Sequence, residues 1–94
     1  MFYVYILTDR KDGTLYVGVT NNLAARIAQH REGTGSAFVR RYGLFRLVYA
    51  QGFAAAREAI ENEKRLKRWR RAWKVRLIEE ANPNWRDLYE EILA

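Results

Sequence analysis

The spacing of apolar and polar positions changes several times along the chain, and each change marks an element. Residues Phe2 to Thr8 form an unbroken, mostly aromatic and β-branched run, which predicts a strand. Asp12-Gly13 is a turn signal, and Leu15 to Val19 reads as the returning strand of a β-hairpin. Asn21 or Asn22 then caps a helix whose apolar positions Leu23, Ala24, Ile27 and Ala28 recur at helical spacing. Gly33, Gly35 and Ser36 end that helix and open a loop. Phe45 to Phe53 returns to strand character. From Ala54 the composition shifts to good helix formers, and the spacing of Ala55, Ala59, Ile60, Leu66 and Trp69 predicts one long helix to about Arg70. A second helix is expected over Trp73 to Ala81, broken by Asn82-Pro83-Asn84 because the residue before proline avoids helical geometry. A terminal helix is expected over Trp85 to Leu93, with Trp85, Leu88, Tyr89 and Ile92 facing inward. The order β-β-α-β-α-α-α makes this an α+β fold, a small three-stranded antiparallel sheet flanked by helices.

Length and composition narrow the picture. Ninety-four residues with no repeat or linker read as one domain over 1–94. The absence of cysteine excludes disulfides, thiolate metal sites and a cysteine nucleophile. The apolar run at residues 1–7 is too short for a membrane span and lacks the flanks of a signal peptide, so a cytoplasmic protein without membrane contact is expected.

Charge is more informative in its distribution than in its net value of +6. Between Lys64 and Arg76 lie eight of the seventeen basic residues and no acid: Lys64, Arg65, Lys67, Arg68, Arg70, Arg71, Lys74 and Arg76. The rest of the chain holds nine basic against eleven acidic residues, a net of −2. A near-neutral body with one cationic stretch suits a polyanion, because phosphate contacts release condensed counterions. DNA is the expected partner, with RNA as a second candidate. Lys64, Lys67, Arg68, Arg70, Arg71 and Lys74 are the expected contacts, assisted by Arg40 and Arg41 in the loop before the third strand. Trp69 and Trp73, four apart, read as sharing one helix face, either stacking on bases or belonging to the core, with the core favoured.

Three features carry chemistry. Tyr3 and Tyr5 point to one face of the first strand, and pairing about the Asp12-Gly13 turn brings Tyr16 near Tyr5. Arg26 and His30, four apart, share one helix face, and a guanidinium beside an imidazole offers a phosphoryl clamp and a group that titrates near neutrality. Glu63 precedes the basic run, and one carboxylate can hold Mg²⁺ when water and substrate phosphate complete the octahedron.

Together these blocks resemble the GIY-YIG endonucleases. Tyr3-Val4-Tyr5, ten residues, then Tyr16-Val17-Gly18 is similar to the paired motif that names that family. Asn22-Leu23 followed by Arg26 and His30 matches its helix, and Glu58-Ala59-Ile60 leading to Glu63 matches the segment carrying its metal-binding glutamate. Lys67 to Arg71 and Asn82 to Leu88 are similar to later blocks of its small stand-alone branch. Tyr3 stands where the family name has glycine, and Val19 where some repair members place lysine. The resemblance implies a metal-dependent endonuclease that hydrolyses phosphodiester bonds in DNA, structured or damaged DNA in repair or recombination included. It implies one Mg²⁺ or Mn²⁺ on Glu63, Arg26 opposite the transition-state charge, and Tyr5 or Tyr16 taking a proton from water directly or through His30. Tyr5 is the favoured base, its phenol expected to be acidified by nearby cations. Gly18 is expected to let the backbone approach substrate, with Tyr3, Val4 and Val17 as motif residues around it. Two other readings stay open: a nucleic-acid-binding module without turnover, and an interaction domain of a repair complex whose protein partner supplies specificity.

Overall fold

A computed structural model of the chain describes residues 1–93. The hairpin forms as its sequence predicts: β1 (Phe2–Thr8) and β2 (Tyr16–Thr20) pair antiparallel, with Tyr5 opposite Gly18 and Leu7 opposite Tyr16. Gly13 donates its N–H to the Arg10 carbonyl, and Asp12 takes a left-handed backbone at φ 61°. β3 (Arg46–Phe53) pairs antiparallel with the other edge of β1, so the sheet order is β2-β1-β3. The middle strand is thus the most apolar one, with Val4 to Thr8 all buried.

Helices cover both faces of the sheet. α1 (Leu23–Glu32) starts at Asn22, whose side chain accepts the Ala25 N–H at 3.2 Å. Asn22, not Asn21, is therefore the cap. α2 (Ala37–Tyr42) is capped by Ser36 and occupies part of the stretch expected to be loop. Both α1 and α2 end on a left-handed glycine, Gly33 at φ 83° and Gly43 at φ 64°, a backbone that costs glycine little. Arg40 and Arg41 accordingly lie on a helix. α1 and α2, with α5 (Tyr89–Leu93), pack on the face of β1 that presents Tyr5 and Leu7, around Leu23, Ile27, Val39, Leu44 and Leu47. α3 (Ala56–Arg68) and α4 (Arg71–Ala81) cover the opposite face, where Val4, Ile6 and Val17 meet Ala59, Leu66, Ile78 and Trp85.

The expected α+β architecture is present, and the differences are local. The long helix stops at Arg68, where Trp69 and Arg70 turn to extended backbone with ψ near 149° before α4 begins. Trp69 and Trp73 therefore do not share a helix face. Their rings meet edge to face at 5.8 Å, and Trp73 is half exposed rather than part of the core. The terminal helix begins at Tyr89 rather than Trp85. Trp85 is inward as expected, but it sits in a left-handed turn at φ 55°. Asn82 holds that turn by accepting the Arg86 N–H and donating to the carbonyls of Val48 and Arg86. Asp87 then fastens the segment to the sheet: its carboxylate accepts the N–H groups of Leu47 and Tyr89 and pairs with Arg31. Among the described residues no helix is long and apolar enough to cross a membrane.

Candidate active site

Alternation along β1 puts Tyr5 on the α1 side of the sheet, and helical spacing turns Arg26 and His30 toward it. The Tyr5 hydroxyl and His30 Nε2 lie 2.9 Å apart in a buried hydrogen bond. Tyr16 completes the cluster, its ring centroid 6.4 Å from that of Tyr5 and 5.7 Å from the imidazole. The hairpin and the following helix thus bring together four side chains separated by up to 25 positions. Glu63 comes from α3, on the stripe with buried Ala59 and Leu66, and its side chain is 12 % exposed. It pairs with Lys67 at 2.9 Å.

Two glycines set the position of the hydrogen-bonded pair. A Cβ on Gly18 would stand 2.4 Å from Tyr5 Cζ and its hydroxyl oxygen, and a Cβ on Gly35 would stand 2.6 Å from His30 Nδ1. The space above Gly18 is therefore filled by the Tyr5 phenol, so the missing Cβ makes room for that ring. Gly18→Ala is expected to destabilise the fold by roughly 1–3 kcal/mol through overpacking, because Tyr5 is buried and has nowhere to retreat. A denaturant titration measures this, and an unchanged midpoint would remove the packing account.

Burial decides the protonation states. The Tyr5 phenol is pushed up to about 12 by desolvation above all, against the opposing effect of Arg26, with smaller upward pushes from Tyr16 and then Glu63. The expected acidification fails because the cation's effect is smaller than the loss of water around a fully buried phenol. His30, 1 % exposed, is shifted down from 6.5 by burial and by the Arg26 charge. Both groups are neutral at pH 7. With Tyr5 protonated, its hydroxyl can donate to Nε2, which places the imidazole as acceptor and the phenol oxygen as a relay.

Arg26 and His30 each keep an unused polar atom: Arg26 Nε and His30 Nδ1 are buried without a hydrogen-bond partner. An unsatisfied buried donor costs about 1–3 kcal/mol. Arg26 also reaches Gln29 through Nη1 at 3.4 Å. It lines an open cleft of about 390 Å³ with Val19, Thr20, Asn21, Asn22, Ala25 and Gln29.

The basic residues are dispersed. Lys64, Arg68 and Arg70 are exposed on α3 and just beyond it, with Arg70 over the Trp73 ring at 5.5 Å. Lys67 is engaged by Glu63. Arg71 donates to the carbonyls of Asp12 and Gly13 at 2.7 and 2.6 Å, tying α4 to the hairpin turn. Lys74 is partly buried, and burial together with the charge of Arg71 shifts its ammonium down. Arg40 uses one nitrogen on the Gly33 carbonyl, whereas Arg41 stacks on Tyr42. Tyr3 packs at the edge of the Tyr5 cluster, and Val4 and Val17 are core residues of the opposite face. Gly35 and Gln29 are site residues that the sequence does not flag: an isolated glycine in a loop and a helical glutamine carry no signal until the fold places them beside His30 and Arg26.

Known proteins resemble this chain in sequence. The chain is 43 % identical over 77 residues to a UPF0213 protein of Oceanobacillus iheyensis, covering 82 % of this chain and 88 % of that one. It is 45 % identical over 78 residues to a UPF0213 protein of Clostridium perfringens, covering 83 % of each. The solution NMR structure of the UPF0213 protein BH0048 from Bacillus halodurans superposes with a TM-score of 0.52 at 39 % identity, over 84 % of either chain. Residues 1–76, which contain all five candidate catalytic and metal-binding side chains, match the GIY-YIG catalytic domain, and the chain belongs to that family.

Proposed function

We propose that this protein is a metal-dependent endonuclease that hydrolyses phosphodiester bonds in DNA. The observation that carries this reading is the buried Tyr5–His30 hydrogen bond beside an Arg26 whose Nε has no partner. Family membership supports nuclease chemistry at the coarse level, and the donor set fits a hard divalent ion. Glu63 offers one carboxylate whose negative charge is at present met by the Lys67 ammonium. A single carboxylate can hold Mg²⁺ or Mn²⁺ when water and substrate phosphate complete the coordination. Glu63 would hold such an ion, which would supply electrostatic stabilisation of the charge that develops on the substrate phosphate.

The remaining work falls to this chain's own groups. Neutral His30 takes the Tyr5 hydroxyl proton at Nε2 while the phenol oxygen takes a proton from the attacking water. Tyr5 is thereby unchanged, and the net transfer is one proton from water to imidazole. The resulting hydroxide forms the new P–O bond, the P–O3′ bond breaks, the alkoxide takes a proton from solvent, and the imidazolium returns its proton to solvent, so that His30 is neutral again for the next turnover. Arg26 offsets charge on the equatorial oxygens as it builds. This relay lets a phenol with a pKa near 12 serve at neutral pH without ever becoming phenolate.

Cleavage of labelled duplex, nicked, branched and single-stranded DNA tests the reading. Activity is expected in Mg²⁺ or Mn²⁺, abolished by EDTA, and reduced by roughly a hundredfold or more in Glu63→Ala. Salt-sensitive binding with no product from any substrate would instead identify a module without turnover.

A further inference from the structure

The aromatic cluster does not end at Tyr16. Phe38 on α2 stacks on the Tyr16 ring, with centroids 6.2 Å apart and planes 27° apart. One turn later Tyr42 meets Phe38 at 4.8 Å. Phe38 is 44 % exposed and Tyr42 48 % exposed, so a continuous aromatic track leaves the buried cluster and reaches solvent. The guanidinium of Arg41 lies 5.5 Å from the Tyr42 centroid, and Arg40 follows Val39 on the same short helix. From Gly33 through Arg57 the chain contains no acidic residue at all.

Each property points to the same occupant. Adjacent exposed rings at i and i+4 give up water readily and offer flat faces. Arginines interleaved with them, in a stretch of chain without acidic residues, favour a polyanion. Paired bases in a duplex hide their faces, whereas unpaired ones present them to aromatic side chains. Phe38 and Tyr42 do not fill the core, which is closed beneath them by Val39 and Leu44.

We propose that the outer face of α2 binds an unpaired nucleic-acid strand, whose bases stack on Phe38 and Tyr42 while Arg40 and Arg41 meet its phosphates. This deepens the nuclease reading above and rests on it for the identity of the polymer. Because the track starts at Tyr16, it leads a single strand toward Tyr5 and His30, so a substrate with an unpaired stretch next to the cut is favoured over a blunt duplex.

Fluorescence anisotropy tests this in EDTA, where cleavage cannot interfere. The probes are a labelled oligo-dT, an oligo-rU and a blunt DNA duplex. The proteins are the wild type, the Phe38→Ala/Tyr42→Ala double variant and Phe38→Trp, with circular dichroism confirming that each is folded. The double variant is expected to bind the single strands about tenfold more weakly, with duplex binding changed far less, and Phe38→Trp is expected to keep wild-type affinity. A loss confined to dT or to rU would support the track and name its strand. Equal weakening on single strand and duplex, or no weakening on either, would overturn it. So would a wild-type dimer that dissociates in the double variant while strand binding stays the same, since a second copy would then cover α2. The stacking contrast without cleavage by the wild type would retain the track and sink the nuclease reading; cleavage without the contrast would do the reverse.

Discussion

Tyr5→Phe is expected to lower cleavage by roughly 10²–10⁴-fold, the range that general acid–base groups contribute, while leaving the protein folded. The phenyl ring still occupies the space over Gly18, so packing is kept. What is lost is the hydroxyl that joins water to His30 Nε2. The lost hydrogen bond leaves His30 Nε2 buried without a partner and costs about 1–3 kcal/mol of stability. The wild-type pH profile should carry the same signature. Cleavage rises with pH through the depressed pKa of His30, below its ordinary 6.5, because protonated imidazole cannot accept. It then stays level across the neutral range, since Tyr5 near 12 contributes no titration there. Folding follows the same sign: the unfolded chain binds a proton on His30 at higher pH than the folded one, so stability falls as pH drops through 6.5. Single-turnover cleavage by both proteins from pH 5 to 9 decides the matter. Full activity in Tyr5→Phe, or a rate that climbs tenfold per pH unit beyond 8, would end the relay.

Trp85→Ala is expected to cost about 3–5 kcal/mol, the largest stability loss of any substitution considered. The indole is 0 % exposed, packs in the cluster under α3 and α4, and donates Nε1–H to Glu79 at 2.8 Å. Against a total stability of about 5–15 kcal/mol, such a loss leaves a marginal or unfolded protein. Trp85→Phe should retain most of the packing and lose the bond to Glu79. Urea melts of the two variants separate these contributions, and a Trp85→Ala midpoint within 1 kcal/mol of wild type would show that the site collapses around the void. Residues 82–87 lie outside the 1–76 stretch that matches the catalytic domain, yet they close the core on which that stretch depends.

Where the chain obeys a simple period, its sequence reveals the structure. The hairpin, the Asn22 cap and the shared face of Arg26 and His30 all follow from local rules of spacing, and they alone place four site side chains together. The limits are equally physical. β3 carries a register shift opposite Ile6 and Leu7, so that Val48 and Tyr49 both pack on the α3 side, which strict alternation cannot express. α2 is six residues long, too short for a periodic signal. The stop after Arg68 has no glycine or proline to announce it, and Trp69 and Trp73 look like one helix face until the backbone turns between them. Protonation was the least visible property. Cations near Tyr5 can be read from spacing, but the dominant effect is burial under a helix and a loop, which only the assembled fold supplies.

The two glycines under the Tyr5–His30 pair have a meaning for divergence. Tolerance at most positions is graded, since a neighbouring residue type differs by a methyl group and the structure adjusts. At Gly18 and Gly35 every available replacement adds atoms where the Tyr5 or His30 ring already stands, so even the smallest step, to alanine, forces a ring to move. Drift through these positions is therefore costly from its first step, although neither glycine has a side chain with which to touch substrate. Among relatives that keep the tyrosine and histidine, the residue found at these two positions becomes a marker of whether the chemistry has been retained or abandoned.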